Sequence, residues 1–321
     1  MTPLRLGMLS TANINRAVVV AAEASDQVEV VAVASRDAGR AQAYAREHGL
    51  ARAHGSYEAL LDDSEVDAVY VSLPNSMHVD WSVRALEVGK HVLCEKPLAR
   101  RPEDAERAFD AAERAGRILA EAFMYRHHPQ AKRVVELVRG GAVGELRVLR
   151  AAFSFPLQGE ENVRLRPELD GGALMDVGCY CVSGIRLLGG EPLHVAGEQV
   201  LGPTGVDLTF AGAMRLAGDV LSTFHASMAL PSRQELEVLG SEGTLLVQAP
   251  WRVDLGGDVL LRRGDDVERI EIPAADAYRC ELEDLAAAAR GEREPLLGRA
   301  DAVAQARTID ALYHAAEGSD R

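Results

Sequence analysis

Long apolar runs are missing from this chain, and no stretch approaches the roughly 18 to 20 continuous apolar residues that a membrane span requires. The opening MTPLRLGMLSTANINR has too short an apolar run for a secretory signal and no small-residue cleavage site, so a cytoplasmic location away from membranes is expected. Cysteine is scarce: Cys94, Cys179, Cys181 and Cys280 are scattered through 321 residues. A chain of that length can bury enough surface to need no staples, and the thiols read as reduced. Two cysteines one residue apart, as in Cys179-Tyr180-Cys181, point about 200° apart on a helix. His127-His128 has no nearby partners either, so no metal is expected. Basic residues are outnumbered, 35 against 49 acidic ones, for a net charge of −14. That balance favours solubility and disfavours a nucleic acid as partner.

What is present is alternation. Apolar strands are predicted at Leu4 to Ser10, Val28 to Ser35, Ala68 to Leu73, His91 to Cys94 and Ile118 to Glu121, separated by helical segments rich in Ala, Arg and Glu. Short apolar runs alternating with helices imply an α/β fold, a doubly wound parallel sheet of Rossmann type over residues 1–122. After Pro129 the pattern changes. A helix from Gln130 to Arg139 leads into ELRVLRAAFSF, and a glycine-initiated helix is predicted from Ala173 to Leu188. The runs VDLTFAGAMRLA, DVLSTFHASMAL, QELEVLGSEGTLLVQA, DVLLRR and VERIEIP then read as a large, open, mostly antiparallel sheet. Residues 123–277 are thus expected to form a second α/β domain, with helices over 278–316 packing back on the first.

The turn after the first strand lacks the glycines of a dinucleotide site and reads Ser10-Thr11-Ala12-Asn13-Ile14-Asn15. Ser10, Ala12 and Asn15 stand where the fingerprint has its three glycines. Serine and alanine are small, and asparagine tolerates unusual backbone angles. A helix starting near Asn13 presents free amides and a positive dipole end to an anion, and Ser10 and Thr11 add hydroxyls. Taken alone, the turn reads better as an ordinary strand-to-helix corner than as a phosphate cradle, and other residues must decide. The second strand ends Ala34-Ser35-Arg36 where NAD sites place an acid for the ribose diol. Ser35 and Arg36, with Arg40 one turn on, suit the 2′-phosphate of NADP, and Asp37 reads as the cap of the following helix.

Two motifs stand at carboxyl ends of parallel strands, where an open sheet binds its ligands: Ser72-Leu73-Pro74-Asn75-Ser76-Met77-His78 and Cys94-Glu95-Lys96-Pro97-Leu98. A third, Asp170-Gly171-Gly172-Ala173-Leu174-Met175-Asp176-Val177-Gly178-Cys179-Tyr180, opens the long helix of the second domain. Asp176 and Tyr180 share a helical face continued by Gly184, a polar stripe suited to border a cleft, while Leu174, Val177, Cys181, Ile185 and Leu188 form the buried stripe.

With these motifs, and Glu121-Ala122-Phe123-Met124-Tyr125-Arg126-His127-His128-Pro129 between them, nearly the whole chain resembles the Gfo/Idh/MocA oxidoreductases, in the branch with xylose and dihydrodiol dehydrogenases. In that family the first turn usually carries glycines, so Ser10 and Ala12 are departures. The resemblance assigns the turn, with Thr11, Asn13 and Ile14, to the cofactor. It implies Lys96 beside the nicotinamide after a cis Lys96-Pro97 bond, and Tyr180 as general acid/base. Asp176 would hold sugar hydroxyls or orient the phenol. Leu73, Pro74, Asn75, His78, Glu95 and Arg126, with His128 close by, would border the cofactor. Tyr125, Phe153, Phe155 and Arg164 would wall the sugar site, and His225 reads equally as a packed sheet residue. The implied activity is NADP-dependent hydride transfer to or from a sugar or polyol by a homodimer or homotetramer joined through the C-terminal sheet. A dihydrodiol dehydrogenase, and an NADP-binding regulator without turnover, are the competing readings.

Overall fold

Six short segments of the N-terminal third form one sheet in the computed structural model, which describes residues 2–159 and 161–318. They are β1 (Leu4–Leu9), β2 (Val28–Ala34), β3 (Arg52–His54), β4 (Ala68–Val71), β5 (His91–Glu95) and β6 (Leu119–Ala122). All pairings are parallel, in the order β3-β2-β1-β4-β5-β6. Strands buried on both faces cannot alternate, and every residue of β4 is buried. The crossovers are α1 (Asn15–Glu23), α2 (Ala38–Glu47), α3 (Tyr57–Leu61), α4 (His78–Glu87) and α5 (Pro102–Ala115). Their ends follow from local chemistry. The side chains of Asp37 and Ser56 accept from the first turns of α2 and α3, and α5 begins on Pro102 and stops at Gly116 at φ +60°. The sheet order reverses between β1 and β4, so their carboxyl ends open the crevice in which such sheets bind ligands.

The second unit contains α6 (Pro129–Arg139), α7 (Cys179–Gly189) and eight strands: β7 (Leu146–Ser154), β8 (His194–Leu201), β9 (Asp207–Arg215), β10 (Leu221–Ser227), β11 (Arg233–Gly240), β12 (Thr244–Gln248), β13 (Val259–Arg263) and β14 (Asp266–Ile270). Their order is β14-β13-β12-β11-β7-β10-β9-β8, antiparallel except for the β7–β10 pair. One face alternates inward: Phe210 and Met214 of β9, Phe224 of β10, Leu236 and Val238 of β11, and Leu245 and Val247 of β12 are buried. The other face is only partly covered, with Leu221, Thr223, Ala211 and Ala213 exposed.

The helix carrying the third motif departs from the expected regular helix. Leu174–Gly178 forms a π-helical turn and only then does α7 begin, so the 3.6-residue period is broken between Asp176 and Gly184. Gly172 before it sits at φ +124°, and an added Cβ would overlap the Asp207 carboxylate. That carboxylate accepts the Leu174 amide at 2.7 Å, an acid at the positive end of a helix.

The tail forms α8 (Ala277–Ala289) and α9 (Arg299–Gly318). In the N-terminal unit Leu282, Leu285 and Ala286 of α8 join a core with Val18 and Ala21 of α1 and Leu6, Met8, Tyr70 and Leu93 of the sheet. Contacts group the described residues up to His127 with Asp276–Val303, and His128–Ala275 with α9 from Ala304 onward. The later part of α9 therefore belongs to the C-terminal unit, where residues 278–316 as a whole were expected to return to the first domain. The physical reason lies in two buried bonds, Gln305 Nε2 to the Cys179 carbonyl at 2.8 Å and Tyr313 Oη to Asp207 at 3.0 Å.

Candidate active site

Ser10, the residue after β1, sits at φ +141°, a backbone region that belongs to glycine. The first position of the cradle thus keeps the glycine conformation with a serine in it. Its hydroxyl bonds the Ser72 carbonyl (3.0 Å) and Ser72 Oγ (2.8 Å) and accepts from Ala12 N at 3.0 Å, while Asn15 Nδ2 donates to the Ser10 carbonyl at 2.8 Å. This corrects two expectations. The Ser10 hydroxyl and the Ala12 amide are spent inside the turn, and Asn15 takes no unusual backbone angle but is a buried helical residue that ties the loop shut. α1 also starts at Asn15, two residues later than expected. Asn13 and Ile14 stand just ahead of it, Ile14 at the N-cap.

Ser35 is buried at the end of β2, its hydroxyl accepting from Asp37 N at 3.3 Å, and Asp37 caps α2 through Arg40 N at 2.9 Å. Arg36 and Arg40 are exposed beside the buried Tyr57. Burial raises the Tyr57 phenol above its ordinary range, and the nearby Arg36 and Arg40 cations oppose the rise. Two cations and a phenol face the end of β2 where an NAD site carries an acid. Tyr57 escaped the sequence reading because it starts a five-residue helix on the next crossover.

The motifs after β4 and β5 are joined by His78. It is fully buried, with Nδ1 2.9 Å from the Pro97 carbonyl and Nε2 2.8 Å from the Leu73 carbonyl. Fully buried, it does not make the expected cofactor contact; it sits between the two loops and, as a neutral ring with one N–H, donates to one of the two carbonyls at a time. Burial, the largest cause, pushes its pKa down to about 4; the Lys96 cation adds to that, and the two carbonyls oppose it. Lys96-Pro97 is a cis bond. Lys96 is half-buried, and Glu95 beside it receives the Tyr70 hydroxyl and the Lys96 amide. Glu281 is buried in α8, and burial with the Glu95 and Asp284 charges holds its carboxyl well above the usual range. Leu73 is buried, Pro74 and Asn75 half-buried. Arg126 is paired to Asp301 at 3.4 Å, and Tyr125 lies in the interior, edge-on to Phe123 at 6.1 Å.

In the C-terminal unit Asp176 is held by Arg164 Nε at 2.7 Å, and the Arg164 guanidinium lies 5.9 Å from the Phe155 ring. Tyr180 is 7 % exposed, with its ring 5.4 Å from Phe153 and 6.2 Å from Trp251. The expected polar stripe along this helix is absent, because Cys179 to Arg186 are buried on all sides. Gly184 serves packing: an added Cβ would overlap the Trp251 ring, whose Nε1 donates to the Ala152 carbonyl at 3.1 Å. His128 caps α6, accepting from Gln130 N at Nδ1 and facing the Ala275 carbonyl with Nε2. His225 is half-buried on β10. Among the described residues no cluster of His, Cys, Asp or Glu could hold a metal ion, and no helix is long and apolar enough to cross a membrane.

The parallel six-stranded sheet followed by the large, mostly antiparallel sheet is the two-domain fold of a Rossmann-type oxidoreductase. Residues 4–123 match the profile of an oxidoreductase family with an NAD-binding Rossmann fold, and residues 131–246 match the Gfo/Idh/MocA C-terminal domain. The chain belongs to the Gfo/Idh/MocA family. It is 39% identical over 318 residues, 98% of each chain, to a D-xylose 1-dehydrogenase (NADP(+)) of Haloferax volcanii. It is 34% identical over 250 residues, 77% of this chain and 75% of the other, to a trans-1,2-dihydrobenzene-1,2-diol dehydrogenase of Danio rerio. The crystal structure of KijD10, a 3-ketoreductase from Actinomadura kijaniata, in complex with NADP and TDP-benzene superposes with a TM-score of 0.92 at 32% identity over 98% of both chains.

A pKa depressed in the fold means that the unfolded chain binds the proton first. His78 therefore contributes stability that is fully present above its unfolded value near 6.5 and is lost as pH falls toward about 4. The stability cost of His78→Gln, measured by urea unfolding at pH 7 and pH 4.5, should shrink by about 2 kcal/mol on acidification. An unchanged cost would show that the ring is not held neutral.

Proposed function

We propose that this protein is an NADP-dependent oxidoreductase that moves a hydride between the nicotinamide and a sugar hydroxyl or carbonyl. It would act as an aldose dehydrogenase or, in the opposite direction, as a keto-sugar reductase. The observation that carries the cofactor choice is the end of β2, where Arg36 and Arg40 lie by Tyr57 just after Ser35, and the neighbouring Asp37 carboxylate is engaged in capping α2. The xylose dehydrogenase named for NADP(+) and the ketoreductase crystallised with NADP support it. Bound NADP supplies the hydride acceptor or, reduced, the donor.

Within this reading each residue has a separate task. The glycine-like backbone at Ser10 leaves the turn low enough for a pyrophosphate to approach, and Thr11, Asn13 and Ile14 at the start of α1 meet its charge. Arg36 and Arg40 bind the 2′-phosphate with Ser35, and Arg36 can lay its guanidinium plane over adenine. Leu73, Pro74, Asn75 and Glu95 border the nicotinamide end. Lys96 holds a cation beside the reacting carbon. Tyr180 takes the proton of the sugar hydroxyl or returns it, an assistance of about two to four orders of magnitude in rate. Arg164 and Asp176, already paired, present charged hydrogen-bonding groups to sugar hydroxyls beside Phe155. The rings of Phe153 and Trp251 at Tyr180 equally suit an aromatic diol, and the similarity to the Danio rerio enzyme favours that as the second reading. The partly covered face of the C-terminal sheet, with Leu221 and Val200 exposed, supports pairing of copies there.

Tyr180→Phe should lower turnover by about two orders of magnitude or more with NADP affinity retained, measured by steady-state kinetics on the best sugar of a panel. Turnover near the parent's would remove the phenol from the chemistry. Arg36→Ala should weaken NADP by about tenfold to a hundredfold and leave NAD almost unchanged, as read by fluorescence titration. Equal losses for the two nucleotides would contradict phosphate recognition by Arg36.

A further inference from the structure

Tyr180 is the second residue of α7, separated by Cys179 alone from the π-helical turn Leu174–Gly178. A π turn carries one residue more per turn's worth of bonds than an α-helix tolerates easily, and it is usually less stable. Relaxation to regular α-helix would shift the following residues by one position, about 100° around the axis. The direction of the phenol therefore depends on whatever holds the turn in its present register. Both ends are held by buried groups of the C-terminal unit. At the first end Asp207 accepts Leu174 N at 2.7 Å through Oδ2 and Tyr313 Oη at 3.0 Å through Oδ1.

At the second end, Gln305 of α9 donates Nε2 to the Cys179 carbonyl at 2.8 Å, and its Oε1 accepts Arg186 Nη1 at 2.8 Å. A guanidinium offers only donors and a carbonyl only accepts, so a single orientation of the amide satisfies both neighbours. Arg186 is itself locked by a two-point pair to Glu191, Nε to Oε2 at 2.9 Å and Nη2 to Oε1 at 2.8 Å. Gln305 is 1 % exposed and Arg186 is 5 % exposed, so water does not compete for the two Gln305 bonds, whereas the Glu191 carboxylate reaches solvent. The carbonyl that Gln305 holds belongs to the peptide unit joining Cys179 to Tyr180. That unit is planar, and fixing its oxygen fixes the direction in which the Tyr180 Cα leaves it.

We infer that Gln305 is a positioning residue for Tyr180: its amide, aligned by Arg186, pins the Cys179–Tyr180 peptide at the exit of the π turn and so sets the direction of the phenol. The inference rests on the reading of Tyr180 as the acid/base group. Asp207 and Tyr313 hold the entry of the turn, and Gln305 holds its exit next to the reacting side chain.

Two variants separate the parts. Gln305→Glu keeps an acceptor for Arg186 and replaces the donor by a carboxylate oxygen facing the Cys179 carbonyl. Gln305→Leu removes both bonds and leaves the guanidinium short of a partner, so Gln305→Glu is the informative variant if Gln305→Leu does not fold. Each is measured alone and in the Tyr180→Phe background, with kcat, KM for the sugar and NADP affinity determined together. The expected result is a kcat about tenfold lower for Gln305→Glu with NADP affinity unchanged, and no further loss when Tyr180→Phe is already present, as for two residues acting through one group. An equal kcat loss in both backgrounds, or kcat within about twofold of the parent while Tyr180→Phe is strongly impaired, would overturn the role of Gln305 alone. Parent-like activity of Tyr180→Phe would instead overturn the reading of the phenol, and the inference with it.

Discussion

The backbone of Ser10 sits where only glycine is comfortable, and the crossover from β1 to α1 depends on keeping it there. A non-glycine residue in such a region costs of order 1–3 kcal/mol. The turn offsets this by converting the serine hydroxyl into a fastener that reaches both Ser72 and Ala12 N, while Asn15 closes the other side through the Ser10 carbonyl. One short side chain thus ties the carboxyl ends of β1 and β4 together at the point where the sheet order reverses. The start of α1, and any anion placed against it, inherits its position from that tie. Glycine would permit the same turn without enforcing it, and a larger side chain lacking the hydroxyl would have the strain without the fastener.

The same economy holds along the rest of the carboxyl edge. His78 packs between the loops after β4 and β5, one ring nitrogen near the Leu73 carbonyl and the other near that of Pro97, next to Lys96. Tyr70 and Lys96 N both engage Glu95, and burial first, then the Glu95 and Asp284 charges, hold the Glu281 carboxyl above the ordinary carboxylate range. In the C-terminal unit Tyr180 stands between Phe153 and Trp251 while Asp176 is neutralised by Arg164. Glu95 is thus held by a buried phenol, Asp176 by a partly exposed guanidinium, and Tyr180 by two aromatic rings.

Much of this was legible in the residues and some was not, for reasons that differ by element. The strands β1, β2, β4, β5 and β6 show as apolar runs because both of their faces are buried. β3, Arg52–His54, is three residues at the sheet edge, an alanine between two polar side chains, and β8, His194–Leu201, has a partly exposed pattern, so neither carries a run to read. Lys96, Asp176 and Tyr180 stand out as charged or phenolic residues in otherwise apolar motifs. His78 stood out in the same way, but its spacing cannot tell a cofactor contact from a strut, and only the two carbonyls around it decide. Gly184 looked like part of a cleft because helical periodicity was carried through Leu174–Gly178; the π turn breaks that periodicity, and Trp251 fills the space. Asp207, Gln305 and Tyr57 act across long sequence separations with no local motif, so nothing near them in the chain announces a partner.

The central claim is that this fold turns over NADP with a sugar. The most direct measurement is nicotinamide absorbance with the purified protein, NADP and a panel of aldoses, polyols and aromatic diols, with NADPH and keto-sugars in the reverse direction. Formation of NADPH with at least one aldose, or its consumption with a keto-sugar, at rates that exceed those with NAD or NADH, is the expected result. Tight NADP binding with no turnover on any member of the panel in either direction, or turnover of the aromatic diols alone, would contradict it.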